Sequence, residues 1–132
     1  MEHWLKRDDI EIMARWTYSR QEWRTFQKWK ELRKSMFHYL LHWIKPHRAK
    51  PVAEIKITAG RVWFDDIQET FHDNNRRFRK INIHDGGMLN IMEISYEQSD
   101  VYNEIMIPIP KGKLREAIYL QDQLMKTKLS VV

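Results

Sequence analysis

Residues 53–64, Ala-Glu-Ile-Lys-Ile-Thr-Ala-Gly-Arg-Val-Trp-Phe, carry the clearest fold signal in this 132-residue chain. Ile55 and Ile57 alternate with charged neighbours, which is the two-residue period of a half-buried strand. Ala59-Gly60 forms a turn, and Val62 to Phe64 begins a second apolar run. The stretch therefore predicts an antiparallel hairpin.

Downstream of the hairpin the chain continues as short strands separated by turn residues. Asp73-Asn74-Asn75 and Asp85-Gly86-Gly87 are typical of turns. Because Pro108 has no amide hydrogen to donate, the last strand is predicted to be an edge strand or to have that position facing outward. The strands are predicted at 67–71, 78–83, 89–96 and 104–109, within a meander that spans 52–110.

An amphipathic helix is predicted after the meander, over residues 111–127. Its apolar periodicity begins after Gly112, and one face is apolar enough to cover a sheet. That face is predicted to contain Leu114, Ala117, Ile118, Gln121, Leu124 and Met125.

Upstream of the hairpin, an alternating stretch from Ile10 to Tyr18 predicts a strand in an N-terminal segment, 1–18. Ser19 and Glu22 form a capping box, with Tyr18 and Trp23 at the flanking hydrophobic staple positions. A long helix is predicted from there, over 19–45. The two prolines of the basic linker 46–51 end it.

This long helix is predicted to be two-sided. Its apolar side contains Phe26, Trp29, Leu32, Met36, Tyr39, Leu40, Trp43 and Ile44. Its opposite side contains Arg20, Arg24, Lys28, His38 and His42. The helix lies in the basic part of the chain, because residues 1–50 have 12 Lys/Arg against 6 Asp/Glu whereas residues 51–132 have 11 against 12. An anionic partner is therefore expected to meet this segment.

Length and composition predict one α+β domain over 1–132, built as an antiparallel β-meander or a partly open barrel with a long N-terminal and an amphipathic C-terminal helix. The absence of cysteine excludes disulfides, thiolate zinc sites and a cysteine nucleophile. Neither a signal peptide nor a transmembrane span is predicted. We therefore expect a cytoplasmic protein, with peripheral association at the inner membrane face as an alternative.

Residues Ala53 to Leu124 resemble the bacterial pleckstrin-homology-like domains. The resemblance rests on the opening hairpin, the late strand Ile105 to Pro110 and the helix Leu114 to Leu124 that would close a barrel. Some of these bacterial proteins also have a strand and a helix ahead of the barrel. The resemblance implies a non-catalytic binding module. The phosphoinositide role of basic side chains near the first hairpin of eukaryotic relatives does not carry over to the later cluster Arg76, Arg77, Arg79 and Lys80.

No catalytic, metal or cofactor site is predicted. His38 and His42 have the four-residue spacing of a metal-binding pair, but they lack an accompanying carboxylate, so exposed or packed histidines are favoured. Asp65 and Asp66 are consecutive, so a solvated turn is favoured over an acid–base pair. The cluster from Arg76 to Lys80 is interpreted as a charged strand edge or as part of a nucleic-acid surface.

These patterns favour a binding module that contacts a protein partner or an anionic membrane surface through the N-terminal basic helix. The alternative is a nucleic-acid-binding domain that uses the same basic face. Simple docking of the helix on the sheet is the third interpretation. The predicted binding residues are Arg20, Arg24, Lys28, Lys34, Trp29 and Trp43, joined in the nucleic-acid alternative by Arg76, Arg77, Arg79 and Lys80.

Overall fold

The computed structural model describes residues 11–33 and 51–131, which form an α+β structure with two helices and two antiparallel sheets. The α+β prediction is confirmed. In chain order the elements are β1 Ala14–Thr17, α1 Arg20–Arg33, β2 Glu54–Ile57, β3 Arg61–Phe64, β4 Ile67–Thr70, β5 Arg77–Asp85, β6 Asn90–Gln98, β7 Val101–Ile109 and α2 Leu114–Val131.

The strands divide into a first sheet, ordered β1-β2-β3-β4, and a second sheet, ordered β5-β6-β7. Every neighbouring pair is antiparallel. The opening hairpin is confirmed, since Ile55 pairs with Phe64 and Ile57 with Val62. Within 11–33 and 51–131 no strand of one sheet pairs with a strand of the other, so the sheets do not close into a barrel. The predicted meander is interrupted between β4 and β5.

Buried side chains from both sheets and both helices form one hydrophobic cluster. In the first sheet Ile55, Ile57 and Val62 are fully buried, and in the second sheet Met92 and Ile94 are fully buried. Burial of this many branched side chains is the main favourable contribution to folding. Both sheets therefore have one face in the common core.

Helix α2 packs on β5 through a face that overlaps the predicted one, because Ala117, Leu124 and the half-buried Met125 lie on it as predicted, but its centre is rotated towards Leu120. Leu120, which was not predicted to be in the core, is 2% exposed, whereas Ile118, which was, is 50% exposed. The side-chain amide of Gln121 donates a hydrogen bond of 2.7 Å to the carbonyl oxygen of Ile81. This bond fixes which side of α2 meets the sheet, with Ala117 and Leu124 buried beside Leu120.

Strand β7 begins three residues earlier than predicted because a two-residue turn joins it to β6. Ser99 and Asp100 have φ angles of 53° and 65°, and positive φ at both central positions is the type I′ geometry that matches strand twist. Because neither position is glycine, the residue pattern contains no strong hairpin signal there.

The same turn explains why Pro108 is tolerated. Pairing from Gln98 with Val101 places Pro108 opposite Ile91, at a position whose backbone groups point away from β6. Strand β7 is also last in the order of the second sheet, so the predicted edge position is confirmed. The phenol of Tyr18 donates a hydrogen bond of 2.6 Å to the outward carbonyl oxygen of Pro108. This bond joins the end of β1 to β7 and thus connects the two sheets.

Replacing Tyr18 by Phe is expected to destabilise the protein by about 1 kcal/mol, because the Pro108 carbonyl loses its donor. Urea denaturation measures the change, with the exposed Tyr119→Phe as the matched control. An equal effect in both variants would contradict the assigned role of the bond.

The difference in free energy of unfolding between the native protein and Tyr18→Phe should also decrease at high pH. Burial, and then the charge of Glu22, raise the pKa of the Tyr18 phenol above its ordinary value of 10.0. The unfolded chain therefore loses this proton first, so the stabilisation is complete below pH 10 and decreases above it. The decrease should approach about 1.4 kcal/mol per pH unit. Denaturation of the native protein and of Tyr18→Phe at pH values below and above 10 tests the sign of this change in stability.

Candidate functional site

The start of α1 is fixed by two local interactions that the sequence predicted. The Ser19 amide donates to a Glu22 carboxylate oxygen at 2.8 Å, and the Glu22 amide donates to the Ser19 hydroxyl at 3.1 Å. The rings of Tyr18 and Trp23 meet edge to face with centroids 5.5 Å apart. The capping box and the staple are both confirmed.

Along α1 the aromatic contacts continue in a series towards its C-terminal end. The ring centroids of Trp23 and Phe26 are 4.9 Å apart, and those of Phe26 and Trp29 are 6.2 Å apart. Trp23 is only 6% exposed and Phe26 is fully buried. The Trp23 ring is therefore part of the core and is not available to a lipid interface.

Trp29 is half-buried and contacts the turn between β5 and β6. A Cβ atom at Gly86 would lie 3.0 Å from the indole nitrogen of Trp29 and 2.8 Å from the Leu89 carbonyl oxygen. This close approach requires glycine at position 86. Trp29 therefore packs against the second sheet rather than projecting into solvent as a binding anchor.

The opposite side of α1 presents a cationic ridge, which we define as Arg20, Arg24 and Lys28. All three residues are exposed, and their four-residue spacing places them about 6 Å apart along the helix. Within 11–33 and 51–131 no carboxylate forms an ion pair with any of them. Glu31 shares this side one turn further on. The predicted outward orientation of these cations is confirmed.

The apolar side predicted for the long helix is only partly correct. Leu32 is 86% exposed, because it lies about 120° around the helix from Phe26 and beyond the Trp29 contact. Lys34, Trp43, His38, His42 and residues 46–50 of the linker lie outside the described residues.

The second predicted basic cluster is largely neutralised by neighbouring carboxylates. Arg76 forms an ion pair of 3.2 Å with Asp73, and Arg79 approaches Glu97 at 3.7 Å. The pKa of the Arg79 guanidinium is raised, first by its hydrogen bond to Tyr102 and then by the charge of Glu97. Arg77 pairs across the ladder with the same Glu97. Since β5 is first in the order of its sheet and therefore an edge strand, this arrangement agrees with a charged strand edge.

Asp73 belongs to a local turn rather than to a catalytic pair. Its carboxylate accepts hydrogen bonds of 2.8 Å from the amides of both Asn75 and Arg76. Burial alone would raise the pKa of Asp73, but these two amides and the Arg76 guanidinium together hold it below its ordinary value. The predicted turn at 73–75 is confirmed.

Asp65 also has a structural role. Its carboxylate accepts hydrogen bonds from the amides of Ala53 and Glu54, which it meets at 3.2 and 3.0 Å. The residue has a φ of 59°, and these hydrogen bonds hold this sparsely populated conformation. Asp65 and Asp66 are exposed in a turn, as predicted.

A buried carboxylate was not predicted and lies on the second sheet. Glu93 is buried, and its carboxylate is 2.5 Å from the Nε2 atom of the half-exposed His84. The two residues lie on adjacent strands, because His84 pairs with Ile91. In the sequence, Glu93 is the one charged residue within an otherwise apolar strand start, which is the signal that would have identified it.

One open groove of about 330 Å³ lies beside the first half of α1. It is lined by α1, the β5–β6 turn, the end of β7 and the loop before α2, and its helix residues are Gln21, Glu22 and Thr25. The cationic ridge is not part of its lining. The Glu22 carboxylate in this groove already accepts the capping-box hydrogen bond from the Ser19 amide.

The described residues contain no group of three His, Cys, Asp or Glu side chains arranged to hold a metal ion. Among the helices of these residues, none combines the length and apolar character needed to cross a membrane. The chain matches no protein-family model, no curated protein and no solved structure.

A further basic surface was missed by the sequence reasoning, which assigned the first hairpin only to the fold. Lys56, Arg61 and Trp63 occupy outward positions of β2 and β3, as their register shows. The signal was present as alternation, because Lys56 lies between the buried Ile55 and Ile57, and the buried Val62 lies between Arg61 and Trp63. It was read as strand periodicity and not as a surface.

Gly86→Ala is expected to destabilise the protein by about 1–3 kcal/mol, because the added methyl group overlaps the Trp29 indole and a backbone carbonyl. Gly87→Ala is the matched control, since nothing lies within 4 Å of its Cβ position and only its φ of 94° opposes the change. The free energy of unfolding is measured for Gly86→Ala, for Trp29→Ala and for the two changes combined. The comparison separates the contact with the indole from the contact with the carbonyl. Strict additivity in the double variant would contradict the packing of Trp29 on Gly86.

Proposed function

We propose that this protein is a non-catalytic binding module whose cationic ridge on α1 contacts an acidic surface of a protein partner. The observation that carries the proposal is that Arg20, Arg24 and Lys28 are exposed, without an ion pair among the described residues, on a helix whose other side is buried. Opposite charge on a partner would complement them and accelerate association.

The rigidity of α1 supports a recognition role. Its first turn is held by the capping box, and its aromatic side is held by Trp23 and Phe26 in the core. Since the backbone beneath the ridge is already ordered, binding needs to order only the ends of the three side chains. A preformed row of cations is thus better suited to a specific acidic surface than the same residues in a disordered tail.

A protein partner is favoured over a membrane surface by the burial of the aromatic side. Helices that lie in a membrane interface insert an apolar face among the lipids. Here Trp23 and Phe26 are buried and Trp29 packs on the β5–β6 turn. Contact of Arg20–Arg33 with a membrane would rest mainly on charge, with Leu32 as its exposed large apolar residue.

The nucleic-acid alternative through the same helix has lost part of its support. It combined the ridge with the cluster from Arg76 to Lys80, but Arg76 and Arg79 are in ion pairs with Asp73 and Glu97. The remaining cations of that cluster are Arg77 and Lys80, and Arg77 faces Glu97 across the ladder.

We further propose a pleckstrin-homology-like architecture for this module. The element order supports it, because four antiparallel strands are followed by three and then by one amphipathic helix that packs on the second sheet. In this chain α1 is an insertion between β1 and β2, which pair directly with each other. The proposal therefore makes α1 an added binding element on a sheet framework.

The test is binding of fluorescein-labelled poly-L-glutamate to the full chain, measured by anisotropy at low and at physiological ionic strength. The triple variant R20E/R24E/K28E should lose about tenfold or more in affinity. Its fold should persist, because all three residues are exposed and an acidic residue in the first helical turn is favourable.

A matched triple variant, K111E/R115E/K126E, makes the same change in net charge at exposed positions of α2 and the loop before it. It should change the affinity by no more than a few fold. Equal losses in the two variants would show that only net charge matters, and this would refute the role of the ridge. Phosphatidylcholine vesicles containing phosphatidylserine serve as the competing probe, and binding to them that is stronger than to poly-L-glutamate would favour the membrane interpretation.

A further inference from the structure

The outer face of the first sheet, defined here as its face away from the core, carries one continuous row of side chains across all four strands. Arg15 pairs with Lys56, Lys56 with Trp63, and Trp63 with Gln68. Directly paired residues point to the same face of an antiparallel sheet. Their sequence neighbours Trp16, Ile55, Ile57 and Val62 are buried on the core face, so the row faces outward.

Trp63 is the distinctive member of this row. It is half-buried, yet it is not among the half-buried hydrophobic residues that pack against the core. Its neighbours in the row are the long polar side chains of Lys56 and Gln68. A tryptophan in this position is not required to fill the core, so its indole presents a flat apolar surface on an otherwise polar face.

Three positively charged side chains share this face of the sheet with the indole. Arg15 and Lys56 lie in its own row, and Arg61 lies two residues before it on the same face of β3. The one described ion pair among these cations joins Arg15 to Glu54 at 3.8 Å, with the Arg15 side chain 57% exposed. Glu54 lies two residues before Lys56 on this same face, so Arg15 is partly neutralised, whereas Lys56 and Arg61 form no ion pair among the described residues. The face therefore combines three cations and the Glu54 carboxylate with one aromatic ring.

We infer that the outer face of the first sheet binds single-stranded nucleic acid, with an unpaired base stacked on Trp63 and backbone phosphates contacted by Arg15, Lys56 and Arg61. The cations supply charge complementarity to phosphates. The indole selects a single strand, because a base in a duplex is already stacked and paired. An acidic peptide would complement the cations but would leave the outward face of the half-buried indole without an aromatic partner.

This site is independent of the proposed role of α1. It uses none of Arg20, Arg24 or Lys28, so the two surfaces are tested by different variants. It also differs from the nucleic-acid alternative considered above, which placed the contacts on α1 and at Arg76 to Lys80.

The test titrates a fluorescein-labelled oligouridylate into the full chain and follows anisotropy. The indole N–H signals of the six tryptophans are recorded on ¹⁵N-labelled protein in parallel, and Trp63→Phe assigns the Trp63 signal. We expect that signal to shift on titration. A duplex of the same length should bind more weakly, since it offers no unpaired base.

Trp63→Ala should weaken binding roughly fivefold to 150-fold, whereas Trp63→Phe should retain most of it because the smaller ring still stacks. Lys56→Gln and Arg61→Gln should each lower the slope of log affinity against log salt by about 0.7. R20E/R24E/K28E should leave the Trp63 signal shift in place. Thermal unfolding of each variant shows that the fold is retained.

Three results would overturn the inference. One is unchanged affinity of a folded Trp63→Ala variant. Another is a Trp63 signal that does not move while the oligonucleotide is bound elsewhere. The third is competition by inorganic polyphosphate as effective as by the oligonucleotide, which would show attraction to charge without recognition of a base.

Discussion

The series of ring contacts Tyr18–Trp23–Phe26–Trp29 determines which side of α1 is buried and which side is exposed. It fixes the rotation of α1 about its own axis, because each ring touches the next at centroid distances between 4.9 and 6.2 Å. Its first member donates a hydrogen bond to the Pro108 carbonyl of β7, and its last packs against Gly86. One side of α1 is thereby held against the second sheet. The cations on the other side therefore face water.

This arrangement limits the kinds of contact that the surface can make. Once Trp23 and Phe26 are part of the core, Leu32 is the exposed large apolar side chain of α1, and the other exposed side chains are polar or charged, so its interactions are dominated by charge. The outer face of the first sheet is different, because Trp63 remains on it beside Lys56 and Arg61. The two surfaces therefore suit different anions: extended acidic side chains for the first, and phosphates that carry aromatic bases for the second.

Several features were predictable because they depend on residues close together in the sequence. The capping box needs only Ser19 and Glu22, three residues apart, and the opening hairpin needs only the alternation around Ala59-Gly60. The edge position of Pro108 followed from its missing amide hydrogen. The exposure of Arg20, Arg24 and Lys28 followed from helical periodicity alone. In each case local stereochemistry is sufficient.

By itself, then, the sequence determined the α+β class, the main turns and the outward side of α1, since covalent geometry and local hydrogen bonds act within a few residues. Only the tertiary structure decided the division into two sheets, the rotation of α2, and the burial of Trp23 against the exposure of Leu32. It also decided that Arg15, Lys56 and Trp63 share one row, because strand register brings together residues more than forty positions apart. The physical reason is that these outcomes depend on which distant surfaces pack together, and periodicity within one segment does not contain that information.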